Sequence, residues 1–220
     1  MLFIHHNDEP PLLRIFREAH PVCGRETWQE FLDSDKNVAH RELLQALHRL
    51  QGGLCAYCER AIDLKRSASR HVDHIVPRNE HTGDLQLTLT YANMVLSCTQ
   101  EAKGRRTCGM AKDARRIPVS PTEDNAGLFI LDTLTGNLEP AAGTGRERDA
   151  RETIAILNLN APFLASERKA AIVRLKRFIA LLNESPLNAD ERRNRLNAYI
   201  GYVCENGSFT PMLKNMFFHH

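Results

Sequence analysis

No stretch of this 220-residue chain approaches the ~20 consecutive apolar positions that cross a bilayer, and Met-Leu-Phe-Ile at the start is too short for a secretory signal core. A membrane protein is therefore not expected, and the cytoplasm is the expected compartment. Charge of one sign is also lacking. Twenty-nine Lys and Arg stand against 27 Asp and Glu, a net charge of +2. That excludes a globally basic nucleic-acid binder, so any basic surface has to be local. Internal repeats and low-complexity segments are absent. Six cysteines without a signal segment make a poor disulfide framework. What the length allows is one good core, or a small module with helical extensions.

Four of the cysteines have an arrangement. Cys55-Ala-Tyr-Cys58 is a C-x2-C knuckle, and Cys98 and Cys108 follow it. Two thiolate pairs of this kind can close a tetrahedral Zn2+ site. The second pair is separated by nine residues, which the slow growth of loop-closure entropy with length tolerates. Cys23 and Cys204 have no partner spacing.

Three regions follow along the chain. Residues 1–50 read as an extended start punctuated by Pro10-Pro11 and then helices, the clearest from Val38 to Gln51, with Leu43, Leu44, Leu47 and Leu50 on one face and Gly52-Gly53 as its stop. Residues 51–145 hold the knuckle, short strands, one short helix, and a hairpin of Leu128–Leu131 with Asn137–Glu139, turned at Thr135-Gly136. Residues 146–220 turn helical again. Ser166 is the expected N-cap of a helix carrying Ala171, Ile172, Leu175, Phe178, Ile179 and Leu182 and ending before Pro186; a further helix runs from near Asp190 to Gly207.

Between the cysteine pairs lies His71-Val-Asp73-His74-Ile-Val-Pro77-Arg78. On a strand, alternation puts His71 and Asp73 on one face while His74 turns the other way. A carboxylate and an imidazole then face a metal together, and the second imidazole faces a water. Asn93 precedes the apolar run that ends in Cys98, where its side chain can bond across the loop to backbone. These are the parts of a one-metal phosphodiesterase.

The cysteine knuckle, the run Val72-Asp73-His74-Ile75-Val76-Pro77, the run Asn93 to Cys98, and Cys108-Gly-Met-Ala-Lys112 resemble, in this order, the HNH nucleases with a zinc-stapled ββα-metal fold. The Val72 to Pro77 run is also similar to the HNH domain of the CRISPR effector nucleases. Over most of the chain, Gln51 to Glu59, the hairpin Phe129 to Pro140 and Ile156 to Asn160 resemble the PtuB family, HNH subunits of Septu-type and some retron antiphage systems. The implied fold is α+β, a zinc-stapled ββα-metal module (51–145) between an N-terminal arm (1–50) and a C-terminal helical region (146–220) that docks a partner.

The resemblance also implies roles. Cys55, Cys58, Cys98 and Cys108 hold structural Zn2+. His74 is the general base, with an ordinary imidazole pKa of ~6.5. Asp73 holds a catalytic Mg2+ or Mn2+, His71 adds a ligand or supports one, and Asn93 pins the loop. One departure stands out: where the family offers His or Asn shortly after the last cysteine, this chain has Met110, preceded by Gly109. A thioether is a soft ligand ill-suited to a hard cation. Asp113 is the expected substitute, with water or His71 as the alternatives, and His at position 110 is expected to restore the ligand. Beside this site Lys103, Arg105, Arg106, Lys112, Arg115 and Arg116 stand against Glu101 and Asp113. Arg105, Arg106, Lys112 and Arg115 are the expected phosphate contacts, which give affinity and salt dependence rather than base reading. Trp28 and Phe31 read as core. The implied partners are DNA, with RNA as the alternative, and a PtuA-like ATPase, in retron systems together with a reverse transcriptase and its DNA. A second class of function, a catalytically silent zinc adaptor docking an ATPase or nucleic acid, shares the same zinc site and arms.

Overall fold

The computed structural model describes residues 1–78, 84–99, 106–206, 208–209 and 211–213, with residues 200–206 described by their backbone alone. Three helices come first: α1 (Pro11–Ala19), α2 (Thr27–Asp33) and α3 (Val38–Leu50). Pro11 opens α1 where its missing N–H costs nothing. The apolar stripe of α3 buries Ala39, Leu43, Leu44 and Leu47, and the helix stops where the chain passes through positive φ at Gly52 and Gly53. Gln51, at the end of α3, is buried. Its amide donates to the Leu54 and Leu96 carbonyls (2.8 and 2.9 Å) and its oxygen accepts from Leu96 N–H (2.7 Å). One side chain thereby docks the helix on the central strand.

That strand is β2 (Met94–Cys98), paired antiparallel with β1 (Arg70–His74) so that Asp73 faces Val95 and His74 faces Met94. All five residues of β2 are buried. The short helix α4 (Cys108–Lys112) packs on β2. The β1–β2–α4 unit thus has the ββα order, within a mixed helical and antiparallel α+β fold.

The hairpin forms as β3 (Phe129–Leu131) and β4 (Leu138–Pro140), with Leu131 opposite Leu138. Its turn needs glycine twice over. Gly136 has φ +79°, and a Cβ there would lie 2.1 Å from the Ala165 carbonyl oxygen. Helix α5 (Glu147–Ile156) packs on β4, and α6 (Pro162–Glu184) and α7 (Ala189–Asn206) follow.

The long helix begins four residues before the Ser166 cap expected from the sequence. Pro162 takes the N1 position, and no side chain caps the end. The Asn160 side chain accepts from Leu138 N–H and donates to Leu138 O (2.8 and 2.9 Å), so the chain enters α6 from a fixed point on the hairpin. One apolar cluster runs through all of this, from Ile4, Leu13 and Phe31 through Met94 and Leu96 to Leu164, Ile172 and Leu175. Trp28 and Phe31 are part of it.

Candidate active site and zinc centre

Cys55, Cys58, Cys98 and Cys108 converge, all buried, with their sulfurs within 4.8 Å of one another. Zn–S bonds of about 2.3 Å at tetrahedral angles place sulfurs about 3.8 Å apart. The Cys58–Cys98 and Cys98–Cys108 separations are 3.6 and 3.7 Å. Burial pushes the Cys58 and Cys108 thiols well up, so four thiolates in this space need a cation between them. The donor set fits zinc.

Two residues at the zinc thiols have positive φ: Glu59 (+61°), just after the knuckle, and Cys108 (+57°), at the start of α4. Cys108 is held by its N–H to the Leu157 carbonyl (2.8 Å). Glu59, 2% exposed, accepts from the Met1 amino group (3.0 Å) and from Met212 N–H (2.8 Å), while its carbonyl accepts from Phe209 N–H (2.6 Å).

Beside the zinc centre is an open pocket of about 280 Å3 lined by His71, Asp73, His74, Pro77, Arg78, Arg106, Gly109, Met110, Lys112 and Asp113 among others. The β1 strand delivers His71 and Asp73 to one side of it, against Gly109 at the start of α4. A Cβ on residue 109 would lie 2.6 Å from His71 Nε2 and 2.9 Å from Asp73 Cγ. His71 Nδ1 is buried without a hydrogen-bond partner, so the polar bonding of this ring has to come through Nε2. A carboxylate oxygen and an imidazole nitrogen in one space form a donor pair that a divalent metal ion can use.

His74 lies 4% exposed. Its Nε2 is 2.8 Å from the Thr88 carbonyl. A carbonyl only accepts, so Nε2 carries the proton and Nδ1 keeps its lone pair. The ring meets Trp28 edge to face at 4.6 Å, and the Arg78 guanidinium lies over that indole at 5.2 Å. Burial, with a smaller contribution from Arg78, lowers the His74 pKa to about 3. The ordinary value expected from the sequence is thus overridden, and the ring is neutral across the physiological range.

Asn93 spans the loop after β1. Its oxygen accepts from Val76 N–H (2.8 Å) and its amide donates to the Val76 and Leu87 carbonyls (3.0 and 3.2 Å). The Asn93 carbonyl takes the Ile75 N–H as well (2.9 Å).

Three expectations are placed differently by the structure. Lys112 is 1% exposed, with Nζ 2.7 Å from the His74 carbonyl and 3.4 Å from both Asp73 oxygens. Its position after Cys108 turns it inward one helical turn later, which removes it from surface phosphate contact. Arg115 stays exposed, and its guanidinium also bonds the Ala111 and Lys112 carbonyls at the end of α4 and the Ile156 carbonyl. The position whose side chain would meet Asp73 and His71 is 109, not 110, because the helix begins at Cys108 and turns Gly109 toward β1. Asp113 sits at the pocket mouth, exposed, one residue past the helix with φ +52°. Among the described residues, only the four cysteines bring three or more metal-ligand atoms within 4.8 Å of one another, so Asp113 completes no such cluster with Asp73 and His71. Arg106 lines the pocket; Arg105 and Lys103 lie outside the described residues.

Tyr57 and Arg78 were not singled out from the sequence. The Tyr57 hydroxyl donates to Asp73 Oδ2 at 2.5 Å, and desolvation together with that carboxylate pushes its pKa well up. The signal available was an aromatic residue inside the knuckle itself.

Among the described residues no helix is long and apolar enough to cross a membrane. The profile of the HNH endonuclease family matches residues 55–100, from the first zinc cysteine past β2. The protein named "Retron Vc95 putative HNH endonuclease" of Vibrio cholerae serotype O1 biovar El Tor is 30% identical over 220 residues, covering 98% of this chain and 99% of its own length. A ββα unit stapled by four thiols, a neutral buried histidine beside a carboxylate, and a full-length relative of this kind lead to one conclusion: the chain belongs to the HNH endonuclease family, metal-dependent hydrolases of nucleic-acid phosphodiester bonds.

Proposed function

We propose that this protein is a Mg2+- or Mn2+-dependent endonuclease that cuts DNA, with RNA as the alternative, as the nuclease subunit of an ATPase-partnered antiphage complex. The retron in the relative's name supports the defence setting. The observation that carries the catalytic reading is His74: its Nε2 proton is committed to Thr88, so the free Nδ1 lone pair is the proton acceptor the pocket offers beside Asp73.

In this reading a phosphodiester enters between Arg78 and Arg106, and His74 takes a proton from the attacking water. The phosphate's negative charge beside the ring favours imidazolium and raises the pKa from the low value set by burial. Asp73 and His71 hold the divalent ion, which when bound stabilises charge on the scissile phosphate and the leaving oxygen. Tyr57 fixes the carboxylate from behind, and Asn93 fixes the loop that follows the base. We assign residues 51–145 to the nuclease module and the helices of 146–220 to partner docking. Val173 and Leu181 on α6 are each 56% exposed and supply apolar surface for it.

The test is incubation of the protein with plasmid DNA and with total RNA, in Mg2+ and in Mn2+, with and without its ATPase. Divalent-dependent cutting that His74→Asn lacks is the expected result. No cutting under any of these conditions would favour the zinc adaptor.

Gly109 offers a separate check. Alanine there is expected to push the His71 ring and Asp73 aside, since the Cβ contacts of 2.6 and 2.9 Å are closer than side-chain atoms approach. Cleavage by Gly109→Ala should fall at least ~10-fold for a displacement on the order of 1 Å at the reacting groups, with zinc stoichiometry unchanged. Wild-type rates in this variant would mean that the Gly109 face of the pocket is not where the metal sits.

A further inference from the structure

Among the described residues, Asp73 has a cation of the chain itself beside it, Lys112. Lys112 lies on the same face of α4 as Cys108, four residues on, and the zinc cysteine therefore fixes where its stem runs. The ammonium is buried, 2.7 Å from the His74 carbonyl and 3.4 Å from each Asp73 oxygen. The Tyr57 hydroxyl donates to Oδ2 as well. A buried ammonium needs partners of this kind, because an unpaired one is strongly disfavoured. The carboxylate is thus charge-balanced and hydrogen-bonded with no metal required. The imidazoles beside it, His71 and His74, carry no negative charge in either protonation state. Arg78 and Arg106 line the pocket with positive charge, and Asp113 at its mouth adds one negative charge.

We infer that Lys112 holds Asp73 as a charge-neutral pair before substrate arrives, so that the divalent ion enters together with the nucleic-acid phosphate and not ahead of it. The inference rests on the reading of Asp73 as the metal-holding carboxylate. In the resting pocket a divalent ion would meet Lys112 within a few ångströms and find the Asp73 carboxylate already paired with it. The phosphodiester supplies further negative charge. Lys112 is accordingly a positioning residue, which sets the order of binding through Asp73. A divalent ion competing for the same oxygens is opposed by the ammonium, because two cations a few ångströms apart repel each other.

The experiment titrates Mn2+ into the zinc-loaded full chain and follows it by electron paramagnetic resonance. Without nucleic acid, wild type should bind Mn2+ no better than Asp73→Asn. Lys112→Gln, which keeps a donor for the His74 carbonyl and removes the charge, should gain one site at least ~10-fold tighter. A second arm needs no change at Lys112. Adding a phosphorothioate-linked DNA duplex to wild type should raise Mn2+ binding above that of Asp73→Asn with the same duplex. Tight Mn2+ binding by wild type alone, equal to that of Lys112→Gln, would overturn the inference, as would a duplex without effect. The underlying reading fails separately: if Asp73→Asn still cleaves in Mg2+, Asp73 is not the metal carboxylate. If Asp73→Asn is inactive and wild type loads Mn2+ alone, only the role given to Lys112 falls.

Discussion

Replacing His74 by alanine is expected to lower nucleic-acid cleavage by roughly 10²–10⁴-fold, the range a positioned proton acceptor contributes, while the zinc and the fold persist. The ring is held on two sides, by Thr88 through Nε2 and by the edge-to-face contact with Trp28, which leaves Nδ1 as its one free function. Removing it leaves the Thr88 carbonyl without its donor, a cost of about 1–3 kcal/mol. That lies below the ~5–15 kcal/mol by which a domain is ordinarily stable. A loss of activity through unfolding is therefore not expected, and circular dichroism with zinc analysis checks it. His74→Asn can still donate to Thr88 yet lacks the base, so it should be as inactive as the alanine variant. Cleavage at the wild-type rate by either, in preparations free of contaminating nuclease, would dismiss His74 as the base.

Stripping zinc should collapse the module altogether. Structural zinc contributes on the order of 10–16 kcal/mol of apparent binding free energy in small modules, as large as the whole stability expected of a domain. Here the four sulfurs join the knuckle after α3, the end of β2 and the start of α4. Without the ion, α4 loses its anchor, and with it go Gly109 and Lys112 on the far side of the pocket. Chelation should release one zinc per chain with loss of the cooperative thermal transition, and Cys58→Ser should reproduce it. Protein purified without chelator that holds no zinc, yet melts cooperatively, would refute the assignment.

Much of this was legible in the sequence, for reasons that differ from residue to residue. The cysteines were readable because C-x2-C spacing is imposed by the metal, and a longer second loop costs little. Helix α3 was readable because its leucines recur at helical spacing and two glycines end it. The entry to α6 was not, because Ser166 and Pro162 are both good starts and the choice was made by Asn160 gripping the hairpin, a contact at long range. Lys112 was misplaced because it stands in a run of basic residues, where a solvated face is the ordinary reading. Only the phase of α4 turns it inward, and that phase follows from Cys108 joining the thiol cluster. The same phase turns position 109, and not Met110, toward His71 and Asp73. Tyr57 left no signal of its own role, since nothing in a knuckle tells which carboxylate its hydroxyl will meet.

The buried Glu59 ties assembly to the order of synthesis. All four zinc ligands have been made once residue 108 has left the ribosome, but the N–H groups of Phe209 and Met212 that close over Glu59 are about a hundred residues further on. At ~5–20 residues per second, roughly 5–20 s separate the two events. For that interval the nascent chain has every thiol needed to capture zinc, while the outer side of its knuckle still faces water. The metal centre is born first and sealed last, so the chain's early segment has to hold its ion in the open before the late segment can lock it in.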